Sequence, residues 1–352
     1  MPFTDEKKLP QRPPQNKVDK QVTFVNSPLH DACRKGNRDL VIRLVSQGLV
    51  DINSRDVNHG KTPLMVAAQE GHCRIFDFLV RKGANKSQVD NDGNNILHWA
   101  CKGGHVGMVK CLLPHYGVAI KKRFMSLLFH AAWHGFRDVC EFLVCMGASV
   151  SQVDVAGYNV LHWACKGGNL DVVKYLLSLC SVDINSRGNR GMTPMMAAAL
   201  RGHTSILKFL GSMGANRTLV ADNGDSVLLL ACKGKRMVMV KYLIGQCGLE
   251  INSKGEGGMT PLMAAASIGD RHMFHYIWRN GANTSLVDDT GDNILHLASL
   301  KGHLVIVKLI VRNHLVNIKA RNKDGETASM MAKHHSKSHV YSFLVSQGCP
   351  MT

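Results

Sequence analysis

The chain has few aromatic side chains, 6% of its 352 residues, although 45% of it is hydrophobic. Its core must therefore be built from Leu, Val, Ile, Met and Ala. No apolar run approaches the ~18 residues that a bilayer-spanning helix needs. The opening segment MPFTDEKKLPQRPPQNKVDK also lacks the apolar stretch of a signal peptide. We therefore expect neither a transmembrane segment nor secretion.

The pattern of cysteines does not indicate a framework of disulfide bonds. The chain has eleven cysteines, an odd number, scattered along its length. Cys33, Cys101, Cys165 and Cys232 stand where small apolar residues are expected on helices. This pattern is typical of free thiols in a reducing compartment. We predict an intracellular, cytoplasmic protein, with the nucleus as the alternative location.

The sequence repeats itself. The phrase NILHWACKGGH at 95–105 returns as NVLHWACKGGN at 159–169, with weaker copies at 226–236 and 293–303. One leucine-type position recurs in steps of 31 to 35 residues: Leu29, Leu64, Leu97, Leu128, Leu161, Met195, Leu228, Leu262, Leu295 and Ser329. A period of this length indicates supersecondary units stacked on one another. The chain therefore holds about ten units.

Each unit carries the start and stop signals of two short helices. Thr-Pro at 62–63, 193–194 and 260–261 suits a helix start, because the hydroxyl caps free N–H groups and Pro needs none. Gly-Ala at 83–84, 147–148, 214–215 and 281–282 suits a helix end, because Gly readily adopts the left-handed conformation. A Gly-His break separates the two helices.

The period and the TPLM and LH-x-A phrases resemble the ankyrin repeat family, whose signature is T-P-L-H-x-A. The resemblance covers residues 27–352. It implies an all-α solenoid of helix-turn-helix units with β-hairpin-like loops and boundaries near 55, 90, 122, 154, 187, 221, 254, 288 and 319. The two phrases alternate, so the unit of duplication is about 67 residues. Residues 1–26, a basic tail that contains Pro, are expected to be disordered.

Two pairs, His98 with Cys101 and His162 with Cys165, could suggest a metal site, because each pair shares a helix face. Zinc needs four converging ligands, and packed helices are ~10 Å apart. The resemblance implies instead that these histidines bond to turns.

The histidines at 334, 335 and 339 form a cluster near the end of the chain. We expect no carboxylate close to them. No Gly-x-Ser-x-Gly, paired catalytic carboxylates or dinucleotide fingerprint is present. We predict no metal, no cofactor and no enzymatic activity.

The resemblance implies a concave groove, formed by the hairpin tips and the outer side of the first helices, which grips protein partners. Its twenty first-helix positions lie at 34–35, 69–70, 102–103, 133–134, 166–167, 200–201, 233–234, 267–268, 300–301 and 334–335. Seven are Lys or Arg, one is acidic and one, Trp133, is aromatic. We predict these partner-binding residues: Lys102, Lys122, Arg123, Trp133, His134, Tyr158, Lys166, Arg190, Arg201 and Lys233.

The net charge of +17 lies mostly on the repeats, since residues 1–26 hold five basic and three acidic side chains. Such a charge suits an acidic partner, a nucleic acid or an anionic membrane, or serves solubility alone. We predict a monomeric, non-catalytic scaffold or adaptor that binds other intracellular proteins, with acidic segments as candidates. The alternative is a nucleic-acid or polyanion binder using the same groove, which a single aromatic residue argues against. A fragment of an effector or channel is a third interpretation.

Repeat four departs most from the pattern. Its loop is two residues short, and Ser126-Leu127 replaces Thr-Pro. It is either a decayed repeat or a specialised contact, and we expect residues 118–135 to be the weak joint of the array. Trp133 is accordingly either the centre of the binding site or a filler of the shortened loop. Trp99 and Trp163, beside the turn histidines, are expected to pack between repeats.

The hairpin tips change sign along the chain. Early tips carry His59, Lys61, Lys122, Arg123 and Arg190, whereas later tips carry Asp222, Asp225, Glu256, Asp289 and Asp292. This difference either orients a partner along the groove or reflects Asp residues that cap turns.

Two asparagines form a further hypothesis. Asn185 and Asn252 stand in Leu/Ile…Asp/Glu-Ile-Asn contexts that resemble sites of asparaginyl hydroxylation in ankyrin repeats. The alternative is that each asparagine makes the turn.

Overall fold

The computed structural model describes residues 27–48, 50–113 and 124–351. The tail 1–26 and two predicted site residues, Lys122 and Arg123, lie outside the described residues.

The described residues form ten pairs of short antiparallel helices stacked in chain order. The pairs are α1 (Pro28–Arg34) with α2 (Arg38–Ser46), α3 (Pro63–Gln69) with α4 (Cys73–Arg81), α5 (Ile96–Gly103) with α6 (Val106–Leu112), α7 (Phe124–His134) with α8 (Arg137–Cys145), α9 (Val160–Gly167) with α10 (Leu170–Ser178), α11 (Pro194–Arg201) with α12 (Thr204–Ser212), α13 (Val227–Lys233) with α14 (Met237–Cys247), α15 (Pro261–Ile268) with α16 (Arg271–Arg279), α17 (Ile294–Lys301) with α18 (Leu304–Arg312), and α19 (Ala328–His334) with α20 (Ser338–Ser346). The fold is the expected all-α solenoid of helix-turn-helix units.

The loops between repeats are hairpin-like without forming strands in the described part of the chain. A typical loop closes on itself, as where the Asp154 N–H donates to the Tyr158 carbonyl at 2.9 Å. Isolated bridges join Val220 to Ser226 and Arg321 to Thr327. Successive tips also bond to each other, since the Asp222 N–H donates to the Arg190 carbonyl at 2.9 Å. The tips therefore form a hydrogen-bonded edge along the stack.

The first helices begin where the sequence predicts, because polar side chains cap them. A backbone N–H three residues ahead donates to the side-chain oxygen of each capping residue, which is Thr62, Thr193, Thr260 and Thr327 in one class of repeat and Asn95, Asn159 and Asn293 in the other. Each such cap stabilises its helix by about 1 kcal/mol.

The core lies between the stacked first helices and the inner faces of the second helices. The alanine pair Ala67 and Ala68 is fully buried, so neighbouring helices approach closely. The cysteines at 33, 101, 165 and 232 are also fully buried, as predicted for small apolar positions.

The turn histidines link each repeat to the next. His162 Nε2 lies 3.0 Å from the Met192 carbonyl, and His296 Nε2 lies 3.2 Å from the Ala320 carbonyl. In both residues Nδ1 accepts the N–H of the helix-capping asparagine at 3.3 Å or less. These histidines therefore serve the turn hydrogen bonds that the resemblance implies.

Asparagine side chains also bridge repeats, and they explain two recurring phrases. The Asn85 N–H donates to Asn53 Oδ1 at 2.8 Å. Equivalent bonds of 2.8 Å run from the Asn216 N–H to Asn185 Oδ1 and from the Asn283 N–H to Asn252 Oδ1. In the GAN-x-S/T phrase, the Asn oxygen then accepts from the following Ser or Thr, as in Ser87 to Asn85 at 2.7 Å. The DIN and GAN phrases are thus the two halves of one contact.

Repeat four starts its first helix differently from its neighbours. Helix α7 is 11 residues long and begins at Phe124, three residues before Leu127, the position of Pro in the TPLM repeats. Ser126, which stands at the capping position, lies inside the helix, and its Oγ lies 3.0 Å from His98 Nε2. An extra helical turn therefore stands where other repeats have a capped start.

Candidate functional site

Four aromatic side chains from repeats four and five meet in the groove. They form the aromatic cluster: Phe129, Trp133, Tyr158 and Trp163. The ring centroids of Trp133 and Trp163 are 5.5 Å apart at an interplanar angle of 64°. Phe129 stacks on Trp163 at 6.2 Å, and Tyr158 meets its edge at 6.2 Å. Trp163 is thus the centre of the cluster.

Two cavities flank Trp163. The first, of about 410 Å³, is lined by Lys102, Phe129, Trp133, His134, Asp154 and Trp163, among others. The second, of about 430 Å³, is lined by Tyr158, Trp163, Lys166, Met192, Leu200 and Arg201, among others. The two cavities are neighbours, because Trp163 lines both of them.

Cations from two repeats lie over the rings of the aromatic cluster, and a cation from a third repeat lies beside it. Lys166 Nζ lies 4.9 Å from the Trp163 centroid and 5.4 Å from that of Trp133. The Arg201 guanidinium lies 5.7 Å from the Trp133 centroid. Lys102, from repeat three, lines the first cavity and lies 4.3 Å from the Trp99 ring. Cation–π attraction holds these charges at the groove surface.

The cations outweigh the one carboxylate that lines either cavity. Asp154 Oδ2 accepts the Trp163 indole N–H at 3.0 Å, and its Oδ1 accepts the backbone N–H groups of Ala156 and Tyr158. Burial, and secondly the charge of Arg201, lowers the pKa of Lys166. Burial and the charge of Lys102 likewise lower the pKa of His134. The site is therefore positively charged, and its cations repel one another.

The structure brings together six of the ten predicted binding residues: Lys102, Trp133, His134, Tyr158, Lys166 and Arg201. Arg190 lines neither cavity; it is exposed at a hairpin tip with a φ of 54°, where its charge still acts on the Tyr158 hydroxyl. Lys233 is already paired, since its Nζ lies 2.7 Å from Asp225 Oδ2 and 3.6 Å from Glu256 Oε2.

The structure adds two findings about the aromatic residues. The groove holds the whole aromatic cluster, of which Trp133 is the member among the twenty first-helix positions. Trp99 and Trp163 both pack between repeats as expected, but Trp99 is 3% exposed, whereas Trp163 is half-buried and lines both cavities. A signal for this existed in the sequence: repeat four has Phe129 where repeat two has Met65.

The acidic tips are largely occupied within the stack. Asp225 is 3% exposed and paired with Lys233, and Asp292 is 7% exposed and accepts from Asn322 Nδ2 at 2.9 Å. Asp222 pairs with Arg187 at 2.9 Å. These contacts support the interpretation that the tip carboxylates stabilise turns.

Several residues considered for chemistry have structural contacts. His98 Nδ1 lies 2.7 Å from Asn95 Oδ1, and burial raises the pKa of the Cys101 and Cys165 thiols. The expectation of no carboxylate near the terminal histidines was wrong, because His334 Nδ1 lies 2.6 Å from Glu326 Oε1. No group of three or more potential metal ligands occurs among the described residues.

The two asparagines considered for hydroxylation both hold a neighbouring repeat. Asn185 Oδ1 and Asn252 Oδ1 each accept a backbone N–H of the next repeat at 2.8 Å. The modification stays a prediction, and peptide mass spectrometry tests it: absence of an added oxygen at both residues would reject it.

A stack of ten helical hairpins with a groove along its first helices defines a helical repeat solenoid. Two family models match the chain. The model described as ankyrin repeats (3 copies) matches residues 9–90, 76–154, 211–288 and 262–352, and the model described as ankyrin repeats (many copies) matches residues 138–177 and 161–210. The chain belongs to the ankyrin repeat family. Ankyrin repeats are a protein–protein interaction architecture, and the repeats are not themselves catalytic.

Similar curated proteins differ widely from one another. Alpha-latrocrustotoxin-Lt1a of Latrodectus tredecimguttatus is 26% identical over 81% of this chain and 21% of its own length. Ankyrin repeat and KH domain-containing protein mask-1 of Caenorhabditis elegans is 30% identical over 85% of this chain and 12% of its own. The E3 ubiquitin-protein ligase KEG of Arabidopsis thaliana is 24% identical over 86% and 20%. This chain therefore spans about a fifth or less of these three relatives.

The helices of the described residues are short, between seven and eleven residues each. No helix in this part of the chain combines the length and apolar character required to cross a membrane.

Proposed function

We propose that this chain is a non-catalytic, monomeric scaffold of the cytoplasm or nucleus whose groove, at repeats three to six, holds an acidic segment of a partner protein. The observation that carries the proposal is the aromatic cluster covered by Lys166 and Arg201. Binding energy in protein interfaces concentrates at buried Trp, Tyr and Arg residues. Here such residues lie together, half-exposed, beside cavities.

The two kinds of side chain have separate roles in this proposal. A large apolar side chain of the partner enters the cavity of about 410 Å³ and covers Trp133. Carboxylates of the same segment pair with Lys102, Lys166 and Arg201, which steers the encounter and fixes the register. A bound carboxylate offsets the repulsion between Lys166 and Arg201, which, after burial, lowers the pKa of Lys166 in the free chain.

A non-catalytic role fits the state of the thiols and histidines. The thiolate is the reactive form of cysteine. Burial raises the pKa of Cys33 and Cys140 to about 12, so their thiols stay protonated at neutral pH. His162 is 2% exposed and bonded at both ring nitrogens.

The nucleic-acid alternative gains an argument from the aromatic cluster, because bases stack on aromatic side chains. The rings, however, are already covered. Phe129 stacks on Trp163, and Lys166 lies over both Trp163 and Trp133. Base stacking would have to displace these contacts, so we favour the protein partner.

The test compares affinity capture from cell lysate by three forms of the chain: wild type, Lys166→Glu/Arg201→Glu, and the control Lys35→Glu/Lys301→Glu. The control makes the same charge change at two exposed positions near the two ends of the groove. A partner segment identified with wild type is then synthesised and titrated. We expect the first variant to weaken its binding by roughly 2 kcal/mol or more, and the control to weaken it little.

Three results would contradict the proposal. These are equal loss in both variants, retention by the groove variant, or capture of RNA in place of protein with a steep salt dependence.

A further inference from the structure

A second cationic site lies on the second helices of repeats eight and nine, away from the groove of the first helices. It is a cavity of about 340 Å³ whose lining includes Arg271, His275 and Arg279 of α16 and Lys308 and Arg312 of α18. Four of these five side chains carry a permanent charge. No carboxylate lines the cavity.

Helix geometry explains why these charges converge. Arg271, His275 and Arg279 are spaced i, i+4 and i+8, so they share one face of α16, and Lys308 and Arg312 are i and i+4 on α18. Residues four apart rise ~6 Å along a helix, and packed helices lie ~10 Å apart. The four permanent cations therefore occupy a compact patch and not an extended ribbon.

Nothing in the described residues neutralises this patch. Neither α16 nor α18 contains Asp or Glu. No ion pair among the described residues includes Arg271, Arg279, Lys308 or Arg312. The nearby carboxylate of Asp270 accepts the Met273 N–H at 3.0 Å and caps α16, and it lines a neighbouring cavity.

The equivalent helix of repeat two shows a different arrangement. Helix α4 also carries two arginines, Arg74 and Arg81, but Asp77 lies between them on the same helix. The acidic residue is what α16 and α18 lack.

One of the cations is held in place before any ligand binds. The Arg279 guanidinium lies 4.5 Å from the centroid of the Trp278 ring, which is half-buried in the cavity wall. Stacking on an aromatic ring leaves the edge of the guanidinium, with its N–H donors, free. Val305 on the rim is 57% exposed, so the patch has an apolar border.

We propose that this site, the α16–α18 pocket, binds a compact anion with two or more phosphate groups. Three guanidinium forks match phosphate oxygens in a bidentate manner, which ammonium groups and single carboxylates do less well. A single carboxylate would balance one of four charges, whereas clustered phosphates balance them together. Two sources share this chemistry: a soluble inositol polyphosphate and the headgroup of a polyphosphoinositide lipid.

The test titrates the full chain with inositol hexakisphosphate by calorimetry and, separately, with vesicles. Phosphatidylcholine vesicles carry either phosphatidylinositol bisphosphate or phosphatidylserine at equal total charge. The site variant is Arg271→Gln/Arg312→Gln. The matched control is Arg74→Gln/Arg81→Gln, which removes the same number of arginines from a second helix. All four side chains are exposed, so we expect both variants to fold.

We expect the site variant to weaken binding of inositol hexakisphosphate by about tenfold or more, since charge-assisted hydrogen bonds are lost, and the control by about twofold or less. Binding to the soluble anion alone would assign a free inositol polyphosphate. Additional binding to the phosphoinositide vesicles, above the phosphatidylserine vesicles, would assign the lipid headgroup.

Three results would overturn the proposal. The first is no binding to either phosphate source, and the second is equal weakening in both variants. The third is equally tight binding of polyglutamate of the same charge, which would point to acidic proteins instead. The groove variant Lys166→Glu/Arg201→Glu separates this site from the proposed function, because it should lose the partner protein and keep the phosphate ligand.

Discussion

Repeats three and five share the phrase LHWACKGG, yet their tryptophans lie in different surroundings. Both indole N–H groups donate to an aspartate of their own repeat, Trp99 to Asp90 at 3.1 Å and Trp163 to Asp154 at 3.0 Å. Trp99 is then buried, with Lys61 Nζ at 4.3 Å from its ring centroid. Trp163 is half-buried and contacts the rings of Phe129 and Trp133 instead.

The difference comes from the preceding repeat. Repeat two places Lys61 over the ring of Trp99, and Lys61 Nζ also donates to Gln69 Oε1 at 3.2 Å. Repeat four presents Phe129 and Trp133 to Trp163. In a solenoid each repeat contacts only its neighbours, so a binding site belongs to a pair of repeats and not to one phrase.

The largest expected effect separates the two tryptophans. Trp99→Ala removes a side chain that is 3% exposed, and we expect it to destabilise repeats two to four by about 3–5 kcal/mol. Trp163→Ala should cost less stability and more partner affinity. Amide exchange of α3 and α5, beside titration of the partner segment, measures both. Equal loss of stability in the two variants would remove the distinction between a packing and a binding tryptophan.

Trp133→Ala tests the groove from its other side. Trp133 contacts Trp163, Lys166 and Arg201, and we expect its removal to weaken partner binding by about 2 kcal/mol or more with an unchanged melting curve. A lower melting temperature with retained affinity would show that Trp133 serves packing alone.

Glycine substitutions should affect the two repeats alike. A Cβ on Gly103 would overlap the Gln69 carbonyl oxygen, and one on Gly167 would overlap that of Trp133. Either Gly→Ala change should therefore destabilise the stack by about 1–3 kcal/mol. Gly107→Ala is the control, because a Cβ there would meet no neighbouring atom within 4 Å and Ala favours a helix. Thermal unfolding of the three variants measures the effect, and a stabilised Gly167→Ala would contradict it.

Repeat four should open before repeat six. Helix α11 has the Thr193 cap and Pro194 at its start, whereas α7 has Ser126 inside the helix. Such a capped start contributes about 1 kcal/mol to α11. Hydrogen exchange of residues 124–135, the described part of the wider segment 118–135, should therefore be faster than that of 191–203. Equal protection would show that the extra turn of α7 replaces the cap fully.

The smallest expected effect is a pH dependence of stability. Burial lowers the pKa of His30, His162 and His296 from 6.5 in the folded chain. Just below pH 6.5 the unfolded chain then binds more protons than the folded chain, so stability is fully present above about pH 6.5 and decreases as the pH falls below it. Asp56, whose pKa is lowered, contributes its own loss only at still lower pH.

Melting temperatures between about pH 7.5 and about pH 5.5 measure this effect. His162→Gln should reduce the slope, since it removes one titrating group. A melting temperature that rises on acidification would contradict the direction.

Most of the fold could be predicted from the sequence, because its signals are local. The Thr193–Pro194 start and the glycine at 214, with a φ of 87°, act within one repeat and recur in others. The start of α7 could not be predicted, because no local phrase marks Phe124. The role of Trp163 could not be predicted either, since the same phrase gives a buried residue in repeat three. The pairing of Lys233 could not be predicted for a similar reason, because its ion pair with Asp225, eight residues away, is visible only in the structure.

The asparagine bridges have a consequence for the growth of the array. The bridges Asn53–Asn85, Asn185–Asn216 and Asn252–Asn283 each join an odd repeat to the even repeat that follows. Removing one repeat of a bridged pair would leave an unmatched half of a bridge, whereas removing or duplicating the bridged pair as a unit would keep the other bridges intact. The unit of duplication is therefore the pair of repeats. Variants of this chain that keep the bridges should therefore change length by about 67 residues at a time. A pair inserted between repeats six and seven would move the aromatic cluster and the α16–α18 pocket apart by one pair of repeats.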